Sequence, residues 1–219
     1  MIDKKFPNLS LLEGIHSTPS RRYLSEELID DEIIWNIIDA AIRGPSGGNK
    51  QAWGWIVIKD KNTKNQIAKL YLESWNKSYG NRRDSILNNL DNDALGPRNF
   101  LSAEHLANHI HEAPVWIIAV LRNAAATSNL RAGSSIYGAV QNLMLAARAH
   151  GIGSTLTTLY TGHEEDVKEL LGIPKSDMTM GLIPLGYPYK GKWAQPKRQL
   201  VEKVTYWDSW DCQKIRTPG

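Results

Sequence analysis

The chain is poor in the features that mark several classes of protein. Cys212 is its only cysteine, which excludes intrachain disulfides and cysteine-cluster metal sites and suits a reducing compartment. The longest unbroken apolar run, Val115 to Leu121, is too short to cross a bilayer. The first ten residues lack the apolar core of a secretory signal. We therefore expect no contact with membranes and a cytoplasmic location.

Excess charge and familiar ligand motifs are also scarce. The net charge is only +3, with lysines and arginines interspersed among acids, so we expect no nucleic-acid partner. Neither a complete phosphate loop nor a Rossmann glycine pattern is present. His105 and His109 share a helical spacing but are too few to bind zinc. A phosphorylated ligand would have to be held by dispersed residues.

What the chain does have is apolar periodicity. With 219 residues, 42% of them hydrophobic, it is expected to form a single domain over 1–219. Periodicity predicts helices over 28–41, 62–78, 101–111, 132–150 and 164–171, and strands over 53–58, 115–121, 154–160 and 178–187. The core is expected to include Trp35, Trp53, Trp55 and Trp116. The polar stretch from Asn81 to Pro97 is expected to lie in a mobile lid spanning about 71–99.

The most informative segment runs from Gly44 to Trp53 and reads Gly-Pro-Ser-Gly-Gly-Asn-Lys-Gln-Ala-Trp. Its glycines let backbone N–H groups approach a ligand, while Ser46, Asn49 and Gln51 offer side-chain donors and acceptors. The same residues also build ordinary turns between a helix and a strand. Composition alone favours neither reading.

Four further motifs occur along the chain, one before this segment and three after it. They are Thr18-Pro19-Ser20-Arg21-Arg22, the helix Ala139–Ala147 with its exit Gly151-Ile152-Gly153, the run Ser154–Thr158, and Gly181–Pro188 with Lys197-Arg198 beyond it. Singly, each has a plain structural reading as a basic turn, a packed helix, a Thr-rich strand or a solvated tail. Together with the segment from Gly44 to Trp53, called the Pro-Ser loop below, they resemble the nitroreductase family of FMN-dependent oxidoreductases, with some similarity to its iodotyrosine-deiodinase-like branch.

This resemblance implies an α+β fold with a central, mostly antiparallel sheet flanked by helices. It also implies an intertwined homodimer, in which the tail over 188–219 embraces the partner and the Pro-Ser loop reaches the flavin bound mainly by the other subunit. The chain departs from the family pattern at Thr18, where arginine is usual, and at Ala52, where proline is usual.

The resemblance further implies which residues contact FMN. Ser20 would touch the ribityl chain, Arg22 the pyrimidine edge, and the Thr158 hydroxyl the flavin N5, where it would favour single-electron steps. Lys197 and Arg198 would hold the phosphate, with Arg21 compensating for the missing arginine. The full implied set is Ser20, Arg21, Arg22, Pro45, Ser46, Asn49, Gln51, Leu156, Thr157, Thr158, Lys197 and Arg198.

The function implied is that of an FMN-dependent NAD(P)H oxidoreductase. It would pass reducing equivalents through the flavin to a small organic acceptor, such as a nitroaromatic or a quinone, by a ping-pong mechanism. Three alternatives stay open: a flavin-dependent reductive dehalogenase of halophenols, an FMN-dependent oxidase or dehydrogenase, and a non-catalytic flavin- or deazaflavin-binding protein.

Overall fold

A four-stranded antiparallel sheet organises the chain in a computed structural model that describes residues 9–88, 96–126 and 131–214. Its strands are β1 (Trp53–Ile58), β2 (Val115–Leu121), β3 (Gly153–Ser154) and β4 (Met178–Gly186), in the order β1-β2-β4-β3. The described helices are α1 (Leu11–His16), α2 (Asp31–Ala41), α3 (Lys61–Tyr79), α4 (Arg83–Asn88), α5 (Pro97–His109), α6 (Tyr137–Ala149) and α7 (Glu164–Leu171). The antiparallel sheet with flanking helices confirms the predicted α+β class.

Strand β2 lies inside the sheet, and all of its residues are buried. Successive side chains of a strand point to opposite faces, so β2 contributes to two separate cores. Val115, Ile117, Ala119 and Leu121 join one core with buried residues of α2 and α6. Trp116, Ile118 and Val120 join the other, with buried residues of α3, α5 and α7. The apolar run seen in the sequence is therefore the centre of the molecule.

Local capping explains several helix ends. The carboxylate of Asp60 accepts a hydrogen bond from the Thr63 amide at 2.7 Å and caps α3 at its N-terminus. Pro97 occupies the first turn of α5, where its missing N–H costs nothing. Gly172 ends α7 in the left-handed conformation, with φ at 65°.

The predicted boundaries agree closely for β1, β2 and α7, but three predicted helices begin elsewhere. Helix α2 begins at Asp31 rather than Leu28, and α5 begins at Pro97 rather than Leu101. The predicted helix over 132–150 opens as a 3₁₀ turn, Ala132–Ser135, before α6. Glycine and serine residues in that turn are weak helix formers, which accounts for the late start of α6.

The strand predicted over 154–160 is wrong for most of its length. Only Gly153 and Ser154 form β3, and a single bridge joins Thr157 to Leu182 farther along β4. A 3₁₀ turn over Leu159–His163 then packs against α3. The run lies at the sheet edge, where helix packing competes with strand pairing.

The structure also differs from two other expectations, the burial of Trp35 and a lid without regular structure. Trp35 is 67% exposed, because Ile34, Ile37 and Ala41 form the buried face of α2. Helix α4 lies within the predicted lid, so that stretch is partly helical, while residues 89–95 of the lid fall outside the described part of the chain. Among the helices described, none is long and apolar enough to span a membrane.

Ile117 is fully buried at the middle of β2, and truncating it should leave a cavity between tightly packed elements. We expect Ile117→Ala to lower the free energy of unfolding by about 2–5 kcal/mol. Val57→Ala, at a partly exposed position of neighbouring β1, should cost clearly less. Urea denaturation of both variants checks this, and equal losses would contradict the central role of β2.

Candidate functional site

The segment that carries Ser20, Arg21 and Arg22 is held between two other predicted motifs. The Arg21 amide donates a hydrogen bond to the Ser154 carbonyl at 2.8 Å. The Ser25 amide donates to Tyr187 at 2.8 Å, so the segment also follows the chain beyond β4. The fold thus brings the Thr18–Arg22 motif, the start of the Ser154–Thr158 run and the end of β4 together at one end of the sheet.

Arg22 lies near the hydroxyl of Tyr71, which in turn meets the hydroxyl of Thr157. Its guanidinium is half-buried, and burial lowers its pKa, while the nearby Tyr71 hydroxyl acts in the opposite direction. The Tyr71 hydroxyl lies 2.9 Å from the Thr157 Oγ1. None of the ion pairs found among the described residues involves Arg22. Within the described part of the chain, Arg22 is therefore a cation without a carboxylate partner, close to these hydroxyls.

The 156–158 segment is fixed at the edge of β4. The Thr157 amide donates to the Leu182 carbonyl at 3.0 Å, and the Leu182 amide donates back at 2.9 Å. Leu156 packs over Gly181, where a Cβ atom would collide with it. Thr158 is exposed, and its carbonyl accepts a hydrogen bond from the Thr161 hydroxyl at 2.8 Å. The Thr158 hydroxyl is thus at the surface of a rigidly held segment.

Arg21 has a different environment from the one expected. It is only 7% exposed, and its two terminal nitrogens donate to the carbonyls of Lys190, Gly191 and Lys192 at 2.6–3.1 Å. Burial and the charge of Arg148 lower its pKa. These contacts give Arg21 a structural role in holding the chain after β4. Its role at the phosphate remains a prediction that these contacts do not favour.

Trp193 lies between two arginines. The guanidinium carbon of Arg148 is 4.2 Å from the Trp193 ring centroid, and that of Arg21 is 4.9 Å away. Arg148 also donates to the Ser17 hydroxyl at 3.3 Å. Cation–π contacts of this kind anchor the start of the C-terminal tail to α6 and to the first motif. No sequence pattern indicated this anchor, because its members are distant along the chain.

The Pro-Ser loop has an unusual backbone. Gly48, Asn49 and Gln51 adopt left-handed conformations, with φ values of 58°, 53° and 48°. The Ser46 hydroxyl accepts from the Gln51 amide at 3.0 Å, and the Gly47 amide donates to the Ser135 hydroxyl at 3.2 Å. Left-handed non-glycine residues are uncommon and concentrate at functional sites. The loop therefore remains a candidate ligand-contacting loop, with the same backbone region also used at Asn123, Asp208 and Asp211.

An open cleft of about 190 Å³ adjoins this loop. Its polar lining includes Ser46, Lys50, Arg122, Asn123 and Ser135. Gly44 lies so close to the backbone of Ala139 in α6 that a Cβ atom would be 2.7 Å from it, which explains the glycine. The cleft thus combines basic and polar side chains with apolar ones such as Leu121.

The spacing of Gly44, Ser46 and Gly48 also fits the nucleophile elbow of α/β hydrolases. That elbow needs a strand before the serine and a helix after it. Here α2 precedes Ser46 and β1 follows it, so the order is reversed. The structure therefore gives no support to a hydrolase nucleophile at Ser46.

The Pro-Ser loop and the Ser20–Arg22 segment, which both carry predicted FMN contacts, lie toward opposite ends of the sheet in one chain. Trp53, just after the Pro-Ser loop, pairs with Leu121, which pairs with Met178. Ser154, bonded to Arg21, pairs instead with Leu185. The rise of a strand places these two ends of β4 about 20 Å apart, and Thr157, which pairs with Leu182, lies between them. Among the described residues of one chain, no hydrogen bond joins Ser20 or Arg22 to Pro45, Ser46, Asn49 or Gln51.

Lys197 and Arg198 are exposed on the tail. The Arg198 guanidinium donates to the Lys197 carbonyl at 3.1 Å, and Gln195 meets His16 of α1 at 2.8 Å. No hydrogen bond among the described residues joins either basic residue to Ser20 or Arg22. Their phosphate role therefore stays a prediction.

A stacked aromatic cluster borders the first motif. The His105 ring stacks on Tyr23 at 4.1 Å and on His109 at 4.4 Å. The Tyr189 hydroxyl lies 3.0 Å from His105 Nε2, and His109 Nδ1 lies 2.8 Å from Glu112. Across the described ranges, no group of three or more His, Cys, Asp or Glu side chains could bind a metal. The two histidines share a helix face, as predicted, and serve packing.

Loss of the Arg21 contacts should loosen the tail. We expect Arg21→Met to lower the free energy of unfolding by about 2–3 kcal/mol, because hydrogen bonds to a buried charged group are lost. Deuterium uptake over 188–198 should rise. Arg43→Met, which removes an exposed cation from α2, should change stability by less than about 0.5 kcal/mol. Unchanged uptake in Arg21→Met would contradict the anchoring role.

His105 should make stability depend on pH. Burial, and then the charge of His109, lower the pKa of His105 in the folded chain. As the pH falls from 7.5 to 5.5, the unfolded chain binds this proton first, so the free energy of unfolding decreases. His105→Gln should show a smaller decrease, whereas His111→Gln, at an exposed position, should retain it. Urea titrations at both pH values measure this, and identical slopes for all three proteins would refute it.

Comparison with known proteins finds relatives that cover most of the chain. A protein from Archaeoglobus fulgidus named "Putative NADH dehydrogenase/NAD(P)H nitroreductase" is 27% identical over 179 residues, covering 81% of this chain and 84% of that one. Iodotyrosine deiodinase from Thermotoga neapolitana is 26% identical over 182 residues, covering 83% and 89%.

The crystal structure of a nitroreductase with bound FMN from Desulfitobacterium hafniense superposes with a TM-score of 0.67 at 23% identity, covering 90% of this chain and 97% of that one. This superposition confirms the nitroreductase-like fold that the motifs implied. The sequence profile of the nitroreductase family matches residues 16–187. Because this match covers most of the sequence, the chain belongs to the nitroreductase family.

Proposed function

We propose that the protein is an FMN-dependent oxidoreductase that takes reducing equivalents from NAD(P)H and passes them to a small organic acceptor by a ping-pong mechanism. The observation that carries this proposal is Arg22, a half-buried cation near Tyr71 and Thr157 for which the described residues supply no carboxylate. The nitroreductase from Desulfitobacterium hafniense, which has the same fold, binds FMN. NAD(P)H is proposed as the electron donor because the name of the relative in Archaeoglobus fulgidus includes it.

The charged, polar and apolar groups around Arg22 fit a flavin. A reduced flavin ring gains negative charge, and a fixed guanidinium such as that of Arg22 stabilises such charge. Ser20 and Thr158 present exposed hydroxyls on segments that are pinned to β3 and β4. Leu156 offers an apolar surface beside them. Cation, hydroxyls and apolar surface are the groups that a polar-edged, flat ring requires.

The proposal includes a homodimer, in which each flavin is completed by a second chain. One chain would supply Ser20, Arg22 and the 156–158 segment, and the other would supply the Pro-Ser loop. Two features support this. In one chain the Ser20–Arg22 segment and the Pro-Ser loop lie toward opposite ends of the sheet, with the 156–158 segment between them. Large apolar side chains are also exposed on α1 and the tail, among them Leu11 at 72% and Trp210 at 78%.

When bound, FMN supplies the redox chemistry by accepting and donating reducing equivalents at its ring. The chain's own residues bind and orient it. Arg22 supplies positive charge, Ser20, Ser46 and Asn49 orient polar edges, and Thr158 offers a hydroxyl hydrogen. Lys197 and Arg198 would hold the phosphate from the tail that Arg21 and Trp193 anchor. No side chain needs to act as a nucleophile, and a cytoplasmic location would supply the nicotinamide.

The acceptor is proposed to be a nitroaromatic or a quinone. Reductive dehalogenation of a halogenated phenol is the second candidate, because Thermotoga neapolitana iodotyrosine deiodinase matches 83% of the chain. The Thr-rich segment ending at Thr158 also suits single-electron steps, if its hydroxyl meets the flavin N5. Comparing turnover of a nitroaromatic, a quinone and a halophenol separates the two candidates.

The first experiment is the visible absorption spectrum of the protein with FMN, before and after anaerobic NADH or NADPH. We expect bound FMN that bleaches on reduction. Arg22→Met should weaken FMN binding about 10- to 100-fold, because a charge-assisted contact is lost. Arg43→Met removes an exposed arginine of α2 and should leave FMN affinity unchanged.

Other results would redirect the proposal. Bound FMN that neither nicotinamide reduces would favour a binding protein, or, with substrate-dependent hydrogen peroxide, an oxidase. A protein that takes up no FMN would overturn the proposal. Equal FMN affinity in Arg22→Met and the wild type would remove Arg22 from the site while leaving the cofactor in place.

A further inference from the structure

Tyr71 lies where three distant segments meet. It belongs to α3, its hydroxyl lies 2.9 Å from the Thr157 Oγ1, and it interacts electrostatically with Arg22. The residue is only 4% exposed and packs in the same core as Ile67 and Trp75, one turn away on either side. Apolar packing therefore fixes the Tyr71 ring, and the hydroxyl has a defined position beside Thr157.

The surroundings of this hydroxyl favour one direction for the hydrogen bond. The positive charge of Arg22 attracts the lone pairs of the Tyr71 oxygen, which directs the Tyr71 hydrogen toward Thr157. Burial raises the pKa of Tyr71, so the hydroxyl remains protonated and able to donate at neutral pH. The 2.9 Å distance allows either hydroxyl to donate, and the charge of Arg22 favours Tyr71 as the donor and Thr157 Oγ1 as the acceptor.

This direction has a consequence for Thr157. Its Oγ1 also accepts from the Leu159 amide at 3.4 Å. A hydroxyl oxygen has two lone pairs and one hydrogen, so both lone pairs are then occupied. The hydrogen of Thr157 remains to be donated to another group. Because the Thr157 backbone is bonded to Leu182 in both directions, that donor has a fixed position.

We propose that Tyr71 is a positioning residue of the flavin site, which holds Thr157 as an oriented hydrogen-bond donor beside the charge of Arg22. This inference rests on the proposed FMN function. Tyr71 itself need not touch the flavin. Its effect should be greater on the reduced cofactor, because an oriented donor and a nearby cation both favour a ring with more negative charge.

The test is Tyr71→Phe, which removes one oxygen atom and preserves the packed ring. We expect affinity for oxidised FMN to fall by at most about 3-fold, and affinity for reduced FMN to fall by a further factor of about 5, as for one neutral hydrogen bond. The midpoint potential of the bound flavin should become more negative. A general loosening of the site would weaken both forms equally and leave the potential unchanged.

Tyr79→Phe is the matched control. Tyr79 lies on the same helix, and its ring packs against Trp75 and Phe100. This variant should keep the wild-type potential. Thr157→Val should shift the potential in the same direction as Tyr71→Phe, and the double variant should shift it no further than Thr157→Val alone, because both changes remove one interaction.

The outcomes separate the two proposals. Wild-type protein that binds and reduces FMN, with no change of potential in Tyr71→Phe, would overturn the positioning role and leave the proposed function intact. Additive shifts in the double variant would also overturn it. Wild-type protein without affinity for FMN would overturn both. Circular dichroism of each variant verifies that the fold is retained.

Discussion

Complete burial of β2 is the constraint on which the rest of the structure depends. Its alternating side chains enter two cores, so α2 and α6 are bound to one face of the sheet and α3, α5 and α7 to the other. The Trp116 indole is buried but donates to the Ile110 carbonyl at 3.0 Å, so burial leaves this polar group satisfied. A one-residue slip of the whole strand would exchange the two cores, so its register is fixed apart from one irregularity in its pairing with β4, between Ala119 and Val120.

This fixed register also determines where functional groups lie. Pairing of β4 with β2 and β3 places the Pro-Ser loop at one end of the sheet and the Ser20–Arg22 segment at the other. A second chain is the simplest way to complete a site that needs both segments. The proposed homodimer is therefore a consequence of strand register combined with the family resemblance, and the apolar side chains exposed on α1 and the tail suit it.

Buried polar groups give the site its order. Arg21 and Tyr71 are both almost inaccessible, and each has partners from segments far away along the chain. Burying such groups without partners is costly, so their hydrogen bonds are held firmly. Arg21 thereby secures the tail, and Tyr71 secures the Thr157 segment. Arg22 is half-buried and has no carboxylate partner among the described residues, which is the basis of the proposed cofactor site.

The sequence by itself determined β1, β2, α7, the α+β class and the family, because apolar periodicity and short motifs are local. It also identified the Pro-Ser loop, although the left-handed backbone of Asn49 and Gln51 appears only in the structure. Tertiary structure alone decided that Trp35 is exposed, that the run after Ser154 leaves the sheet, and that Arg21 binds the tail. It also decided that Tyr71 meets Thr157 and Arg22. These outcomes depend on which distant segments pack together, and neither hydrophobic period nor residue type encodes such contacts.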